Sequence, residues 1–255
     1  MKVDASRRVS VIVSCEHGGN RVPEWLAARF ADAHAGAALE SHRGWDPGAW
    51  GMAQELCGGI GFDAAIARTS RYIARVSRLV VDLNRSEESP ELLSEFTRDL
   101  PEADRERVMR EHYFPHRERV ERGVRESVEK GLAVVHVSVH TFTAVLGAER
   151  RRFDAGVLFD PEREPEARFA RAWIEALRAD GEPIDVRENE PYLGTDDGLT
   201  TALRGMFAED DYIGVEVEVR NDLVREEDDQ ARWGSRLAAS LMRVIRSGCL
   251  SGDGG

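Results

Sequence analysis

The chain has 255 residues, of which 42% are hydrophobic and 32% charged, the balance of an ordinary globular protein with enough chain for a large core. Its 35 Lys and Arg against 47 Asp and Glu give a formal net charge of −12, which argues against a nucleic-acid partner and, taken as a whole, against an anionic substrate. The sequence has no apolar run near the about 18 residues of a membrane span, and its start does not predict a signal peptide.

Six apolar runs of strand length follow one another along the chain and predict β-strands. They cover residues 9–15, 64–67, 78–83, 132–140, 156–159 and 212–219. Helical periodicity predicts four helices, at residues 47–56, 101–129, 165–177 and 228–245. Pro115 falls inside the second helix and is expected to kink or split it.

This alternation predicts a single α/β domain over residues 1–250, with a sheet covered by helices on both faces. Residues 251–255 are expected to form a disordered tail. Two polar segments, 86–104 and 180–211, predict long loops of the kind that often carry function. The three cysteines are widely separated and fit no disulfide framework or paired-Cys zinc motif, so we predict a reducing, cytoplasmic environment.

Polar residues concentrate where predicted strands end, the edge at which open α/β sheets bind ligands. His17 follows the first strand, and Gly18 and Gly19 after it would allow close approach of the backbone to a ligand; the alternative is a polar turn with an exposed His. Asp46 precedes Pro47 at the start of a predicted helix, so it could also be a purely structural N-cap.

Two of the predicted strands carry polar side chains on one face. His136, Ser138 and His140 are spaced two apart and share a face; His140, at the strand end, is well placed as a ligand, whereas His136 is expected to be hydrogen-bonded in the core. Glu216 and Glu218 also share a face, which is costly unless the carboxylates are paired, metal-bound or solvated. Imidazoles with a carboxylate are typical ligands of catalytic zinc, and a further Glu can act as general base.

A cluster of positive charge lies at residues 68–85, which hold five Arg and one Asp. Arg matches a carboxylate with two parallel hydrogen bonds, so a positive cluster in an acidic chain predicts a site for a carboxylate-bearing substrate. Arg68 and Arg71 are expected to lie on the surface instead. The net charge of the chain argues against an anionic substrate, but the positive charge of this segment favours one at this place.

These residues together resemble the N-formylglutamate amidohydrolase family. The matching pieces, in the family's order, are His17-Gly18-Gly19, Asp46, the Ser-Arg-Leu-Val-Val-Asp-Leu-Asn-Arg segment at 77–85, His140-Thr141-Phe142 and Glu218. They span residues 11–223, and a similar Asp-Leu-Asn-Arg string occurs in aspartoacylase and succinylglutamate desuccinylase. The resemblance implies a zinc-dependent amide hydrolase of zinc exopeptidase architecture, a single α/β domain whose mixed, mostly parallel sheet is flanked by helices.

The resemblance also implies a zinc ligand set. His17 and His140 become ligands, and Asp46 is the preferred carboxylate ligand. The reason for preferring Asp46 is that the usual His-x-x-Glu pair is absent, since Asn20 stands where that pair would place a Glu; Glu16 is the rival of Asp46.

Further roles carry over to single residues. Glu218 matches the general base better than Glu216, and Arg78 would lie near the developing oxyanion. The residues expected to bind the substrate are Asn84, Arg85 and Thr141, the first two by holding its α-carboxylate.

The resemblance implies hydrolysis of the N-formyl or other N-acyl amide of an acidic amino acid such as N-formylglutamate. One region departs from the family, since residues 189–198 are acidic where the family has a Gly-Gly-Tyr-rich loop with an Arg; Arg204 could still reach into the site. The alternatives are a carboxypeptidase or a deacylase for another N-acyl amino acid, and a non-catalytic amino-acid-binding module. The expected partners are thus a small N-acyl amino acid and zinc, without nucleic acid or membrane, and the sequence carries no signal for oligomeric state.

Overall fold

A six-stranded sheet forms the centre of the computed structural model, which describes residues 7–61 and 63–249. The tail predicted to be disordered lies outside these residues. The strands are β1 (Val9–Cys15), β2 (Ile66–Ile73), β3 (Ala133–Phe142), β4 (Val145–Leu146), β5 (Glu149–Arg150), β6 (Ala155–Leu158), β7 (Val186–Glu188) and β8 (Tyr212–Arg220). The helices are α1 (Ala33–Glu40), α2 (Ala49–Gly59), α3 (Glu102–Val108), α4 (Phe114–Glu129), α5 (Glu164–Arg178), α6 (Leu199–Arg204) and α7 (Glu227–Arg246).

The strand order across the sheet is β2-β1-β3-β8-β6-β7. The first four strands are parallel to one another, whereas β6 is antiparallel to β8 and parallel to β7. The predicted mixed, mostly parallel sheet of an α/β domain is therefore confirmed. The strands β4 and β5 pair with each other in a separate antiparallel ribbon.

The two faces of the sheet pack against different helices. One face is rich in Val and packs against α2, α5 and α7, in a core that includes Val13, Val137 and Val217. The other face packs against α4 and α6 around Ile12 and Tyr212. Because side chains alternate along a strand, this second face also receives the polar residues of β3 and β8, so their predicted sharing of a face is confirmed.

His136 is a hydrogen-bonded core residue, as predicted. It is fully buried, with its Nε2 2.8 Å from Oγ of Ser14 and its Nδ1 2.7 Å from the hydroxyl of Tyr212. Towards the carboxyl ends of the strands the same face carries the candidate site, where His140 lies opposite Glu218 in the β3–β8 register.

The prediction of a strand at residues 78–83 is wrong. This segment forms turns, in which the amide of Val80 donates to the carbonyl of Ser77 and the amide of Asp82 to the carbonyl of Leu92. Its apolar side chains are buried, but in a separate cluster of loops and short helices rather than in the sheet. The second strand, predicted to end at residue 67, continues to Ile73.

The helix predicted at 101–129 is divided near Pro115. A π-helical stretch, Met109–Tyr113, separates α3 from α4, and Pro115 lies in the first turn of α4. The residues at both junctions keep α-helical dihedrals, so the predicted interruption takes the form of a change of helix type rather than a break in the chain's helical path. Among the residues described, none of the helices has the length and hydropathy needed to cross a bilayer.

Candidate active site

Three buried side chains from separate segments meet at the carboxyl end of the sheet. His17 follows β1, Asp46 precedes α2 and His140 lies in β3. Nδ1 of His140 is 2.9 Å from Oδ2 of Asp46, and the two histidine Nδ1 atoms are 3.2 Å apart. One donor atom from each residue lies within 4.8 Å of the others. Two imidazoles and a carboxylate are a typical protein ligand set of catalytic zinc, so this group could hold a metal ion.

The structural alternatives for His17 and Asp46 are not observed. The cap of α2 is Gly48, with a φ of 89° and no side-chain hydrogen bond, so Asp46 does not cap this helix. His17 is 3% exposed rather than in a solvent-facing turn. A Cβ on Gly19 would lie 2.8 Å from the carbonyl oxygen of Arg75, so this glycine permits close packing against the chain itself, and close approach of a ligand stays a prediction.

Asp82 lies behind His17, on the side away from the other two members of the group. Its Oδ1 is 2.7 Å from Nε2 of His17. An ionised carboxylate only accepts hydrogen bonds, so this contact assigns the hydrogen to Nε2 and leaves the Nδ1 lone pair directed at Asp46 and His140. Burial by itself raises the pKa of Asp82, but His17 and the guanidinium of Arg78 together hold it well below its usual value. Sequence reasoning assigned Asp82 no role, although it begins the Asp-Leu-Asn-Arg string.

Arg78 lies beside the histidine–aspartate group. Its Nη2 contacts Oδ1 of Asp46 and lies 2.6 Å from Nδ1 of His17. Its Nε is buried and finds no hydrogen-bond partner in the part of the chain that the structure describes. The guanidinium therefore supplies positive charge next to buried carboxylates and faces the same cavity as the candidate base.

Glu218 and Glu216 both reach the cavity, but their hydrogen bonds differ. Glu216 accepts from the hydroxyl of Thr200 at 2.6 Å and from the amide of Asn84 at 3.4 Å. Glu218 is 6% exposed, and its Oε2 has no partner among the described residues. Burial, together with the charges of Asp46 and Glu216, raises the pKa of Glu218 to about 8. A positive ion nearby would oppose this shift and favour the carboxylate.

Asn84 and Arg85 lie on the same side of the cavity, in the turn that follows Asp82. Oδ1 of Asn84 accepts from the amide of Leu199 at 2.7 Å, which fixes the side chain. Nη1 of Arg85 donates to the carbonyl of Asp197 at 3.1 Å, and its Nε donates to Glu91. These bonds hold the guanidinium of Arg85 at the cavity wall.

The cavity has a volume of about 140 Å³ and unites most of the predicted site residues. Thr141 lines it too, but its hydroxyl donates to the carbonyl of Pro47 at 3.1 Å. At the mouth, the acidic segment predicted to replace the family's loop contributes exposed side chains. The lining residues of this segment are Tyr192, Leu193, Asp196 and Asp197.

The arginine cluster divides between the cavity and the surface. Arg78 and Arg85 line the cavity, whereas Arg71 is exposed and Arg68 is half-buried and pairs with Glu126 on α4. Arg75 stacks on the ring of Trp50 instead.

The expectation that Arg204 reaches into the site is wrong. Its Nε donates to Glu166 at 2.9 Å, and its Nη2 donates to the carbonyl of Gly214. Arg204 is 8% exposed in this buried pair and does not line the cavity.

Comparisons with known proteins agree with this architecture. The model of the N-formylglutamate amidohydrolase family matches residues 9–225. A crystallised gene product of Agrobacterium tumefaciens is 30% identical, with a TM-score of 0.78 over 95% of this chain and 93% of its own. An N-formylglutamate amidohydrolase from Ralstonia eutropha is 17% identical, with a TM-score of 0.67 over 94% of each chain, a likeness of fold. None of the curated proteins matches the sequence significantly.

Proposed function

The chain belongs to the N-formylglutamate amidohydrolase family, whose members hydrolyse non-peptide carbon–nitrogen bonds, and we propose that it uses zinc to hydrolyse the N-formyl or another N-acyl amide of an amino acid. One observation carries this proposal: the buried group of His17, Asp46 and His140 shares a cavity with Glu218, whose Oε2 has no partner among the described residues.

His17, Asp46 and His140 would hold the zinc ion, since both imidazoles direct Nδ1 towards the carboxylate of Asp46, at 3.5 Å for His17 and 2.9 Å for His140. The hydrogen bond from His17 to Asp82 supports the neutral tautomer that a metal ligand requires. Bound zinc lowers the pKa of water and polarises a carbonyl group, which is the chemistry that amide hydrolysis needs.

Glu218 is our candidate for the general base. It would take a proton from the attacking water as the C–O bond forms at the acyl carbon, and it would return that proton to the nitrogen as the C–N bond breaks. Glu216 lies on the same face but is hydrogen-bonded to Thr200 and Asn84, so Glu218 is the better placed of the two.

Arg78 would stabilise the oxyanion that forms on the acyl carbonyl; one well-placed donor of this kind contributes about 2.7–4 kcal/mol to transition-state stabilisation. Arg85 and Asn84 would bind the substrate's α-carboxylate, because a guanidinium and an amide can both donate to it. Thr141 can add its hydroxyl only by giving up its bond to Pro47.

N-Formylglutamate is the first substrate to test, but the cavity mouth favours a second candidate, an amide of an amino acid with an uncharged or cationic side chain. Asp196 and Asp197 line the mouth, and Arg78 and Arg85 are the two guanidinium groups among the described lining residues. If Arg78 acts on the oxyanion and Arg85 on the α-carboxylate, no guanidinium in this lining is left to pair with the carboxylate of a glutamyl side chain. That side chain would instead lie near Asp196 and Asp197.

The test combines the zinc content of the purified protein with release of amine from a panel of substrates. N-Formyl-L-glutamate, N-formyl-L-leucine and N-formyl-L-lysine, and the matching N-acetyl compounds, separate the side chain from the acyl group. A dipeptide substrate tests the carboxypeptidase alternative. Protein that binds no zinc and releases no amine after zinc addition would refute the proposed function, and tight binding of amino acids without turnover would favour the binding module.

A further inference from the structure

Glu16 is a fully buried carboxylate between β1 and the proposed ligand His17. Its Oε2 accepts a hydrogen bond from Oγ of Ser138 at 2.5 Å and lies 3.2 Å from Nε2 of His140. Its Oε1 lies 3.3 Å from Nε2 of His116, a buried residue on α4. Burial of an ionised carboxylate is costly without such bonds, so the three partners account for its stability at this position.

The hydrogen bonds around Glu16 determine where His140 carries its hydrogen. Ser138 has one hydroxyl hydrogen, and the 2.5 Å contact assigns it to Glu16. Oγ of Ser138 is also 2.9 Å from Nε2 of His140, and this oxygen can then only accept. Nε2 of His140 must therefore be the donor to Ser138 and Glu16, so that Nδ1 carries the lone pair whenever the ring is neutral, as a metal ligand must be.

We propose that Glu16 is a positioning residue that, with Ser138, holds His140 in the tautomer and ring orientation needed to bind zinc through Nδ1. This inference rests on the proposed function. Each proposed histidine ligand then has its own supporting carboxylate. Glu16 contacts His140, and Asp82, the first residue of the Asp-Leu-Asn-Arg string, contacts His17.

His116 extends the support of His140 to the helix layer. It contacts the Glu16 oxygen that is not occupied by Ser138 and His140, and it lies two residues after the start of α4. The position of His140 is thereby tied to β1, β3 and α4 together. A side chain fixed from three elements loses little conformational freedom when it binds a metal ion, which favours affinity.

The geometry separates this role from that of a direct ligand. The Nδ1 atom of His140 faces Asp46 and His17, whereas Glu16 contacts Nε2, on the opposite edge of the same ring. Glu16 thus lies behind His140 as seen from the donor group.

The decisive experiment compares zinc affinity, measured by competition with a chromophoric chelator, among variants of the full chain. Glu16→Gln keeps the shape but leaves one accepting oxygen where the carboxylate has two. Ser138→Ala removes one link and is the milder change. Glu166→Gln is the matched control, because Glu166 is an equally buried carboxylate that pairs with Arg204, away from the site. Asp46→Asn measures the loss of a ligand.

We expect Glu16→Gln to weaken zinc binding about 10–100-fold, Ser138→Ala to weaken it less, and Glu166→Gln to leave it unchanged. The visible spectrum of the Co²⁺-substituted protein should change in Glu16→Gln, because the His140 ring is no longer fixed. Metal-free melting curves identify variants that fold.

Wild-type affinity and an unchanged Co²⁺ spectrum in Glu16→Gln would overturn the inference, and so would a loss as complete as that of Asp46→Asn, which would make Glu16 a ligand. If Glu16→Gln does not fold, Ser138→Ala is the test variant. Wild-type zinc affinity and an unchanged Co²⁺ spectrum in Ser138→Ala would then overturn the inference. Wild-type protein that binds no zinc would instead refute the proposed function.

Discussion

The two carboxylates that β8 directs into the cavity provide the sharpest test at the scale of single residues. We expect Glu218→Gln to lower kcat for amine release by about 10²–10⁴-fold, because the amide cannot take up the proton of the attacking water. Zinc content should stay at the wild-type level, since Glu218 is not among the three clustered donors. Steady-state kinetics and metal analysis of the same preparation check both statements.

Glu216→Gln is the matched control for that experiment. Its oxygens accept from Thr200 and Asn84, so the variant should mainly disturb the position of Asn84 and raise KM. Retained turnover in Glu218→Gln, with loss of turnover in Glu216→Gln, would transfer the role of base to Glu216.

His136 gives the fold a specific response to acid. Burial lowers the pKa of His136 from 6.5 to about 4, so the unfolded chain takes up the proton before the folded chain does as the pH falls. Above about pH 6.5 the ring of His136 is neutral in both states, and its titration does not change the free energy of unfolding. As the pH falls from about 6.5 to about 4, the unfolded chain binds the proton and the free energy of unfolding decreases. The loss amounts to about 3 kcal/mol once the pH is below both values.

Urea unfolding at pH 7.5, 6, 5 and 4.5 measures this loss in wild type and in His136→Gln. The variant loses the bonds to Ser14 and Tyr212 and should be less stable at pH 7.5. The gap between the two proteins should narrow as the pH falls, since Gln does not titrate. A gap that stays constant over this range would contradict the prediction.

Residue types, strand alternation and the family resemblance together pointed to most of the side chains that line the cavity, but not to the contacts among them. Alternation placed His140 and Glu218 on one face of their strands, and the Asp-Leu-Asn-Arg string pointed to Arg85. The role of Asp82 behind His17 and the burial of Arg204 against Glu166 depend on segments far apart in sequence. Neither contact leaves a local signal in the sequence.

At the scale of secondary-structure elements, a buried ion pair joins α5 to α6. Glu166 is 1% exposed and Arg204 8%, and burial raises the pKa of Glu166 despite the nearby guanidinium. Arg204→Met leaves a buried carboxylate without its cation, so we expect a loss of about 3–5 kcal/mol in the free energy of unfolding. Urea unfolding at neutral pH measures it.

The double variant Glu166→Gln/Arg204→Met tests whether the loss comes from the unpaired charge. With both charges removed, the destabilisation should be smaller than the sum of the two single changes. Strict additivity would show that the two side chains stabilise the fold independently.

Helices and strands with a clear periodicity of apolar residues could be predicted from the sequence. Segments whose structure depends on contacts with distant parts of the chain could not. The strand β1 was predicted with its observed bounds, and α5 and α7 differ from prediction by a single residue at each end. The apolar run at 78–83 resembles a strand because a run of buried residues has the same composition whether it joins a sheet or fills a cluster of loops. The short elements α1, α6 and β7 carry too few residues for periodicity to identify them.

At the scale of the whole molecule, the net charge of −12 and the charge of the cavity are separate quantities. Of the five arginines at 68–85, two line the cavity, and Arg78 is already paired with Asp46. The guanidinium available to a substrate carboxylate is thus that of Arg85, in a wall that also contains Asp196 and Asp197. The sequence shows the positive segment, but which of its arginines line the cavity depends on the fold.

The proposed zinc ligands connect distant parts of the molecule, which makes metal binding measurable as stability. His17 and His140 are 123 residues apart in the chain, and a group that binds the folded state alone stabilises the whole fold. Zinc at about 1,000 times its Kd should raise the free energy of unfolding by about 4 kcal/mol and the Tm of this chain by roughly 10 °C. Differential scanning calorimetry of metal-stripped protein, with and without zinc, tests this.

Two variants make the calorimetric result specific. The Tm increase should vanish in Asp46→Asn, which loses a ligand, and persist in Glu218→Gln, which loses only the proposed base. An increase of equal size in Asp46→Asn would mean that zinc binds elsewhere, and no increase in wild type would remove the metal from the proposed mechanism. Because the three apolar clusters contain none of the proposed zinc ligands, we expect the chain to unfold cooperatively without zinc as well, with only the midpoint moved.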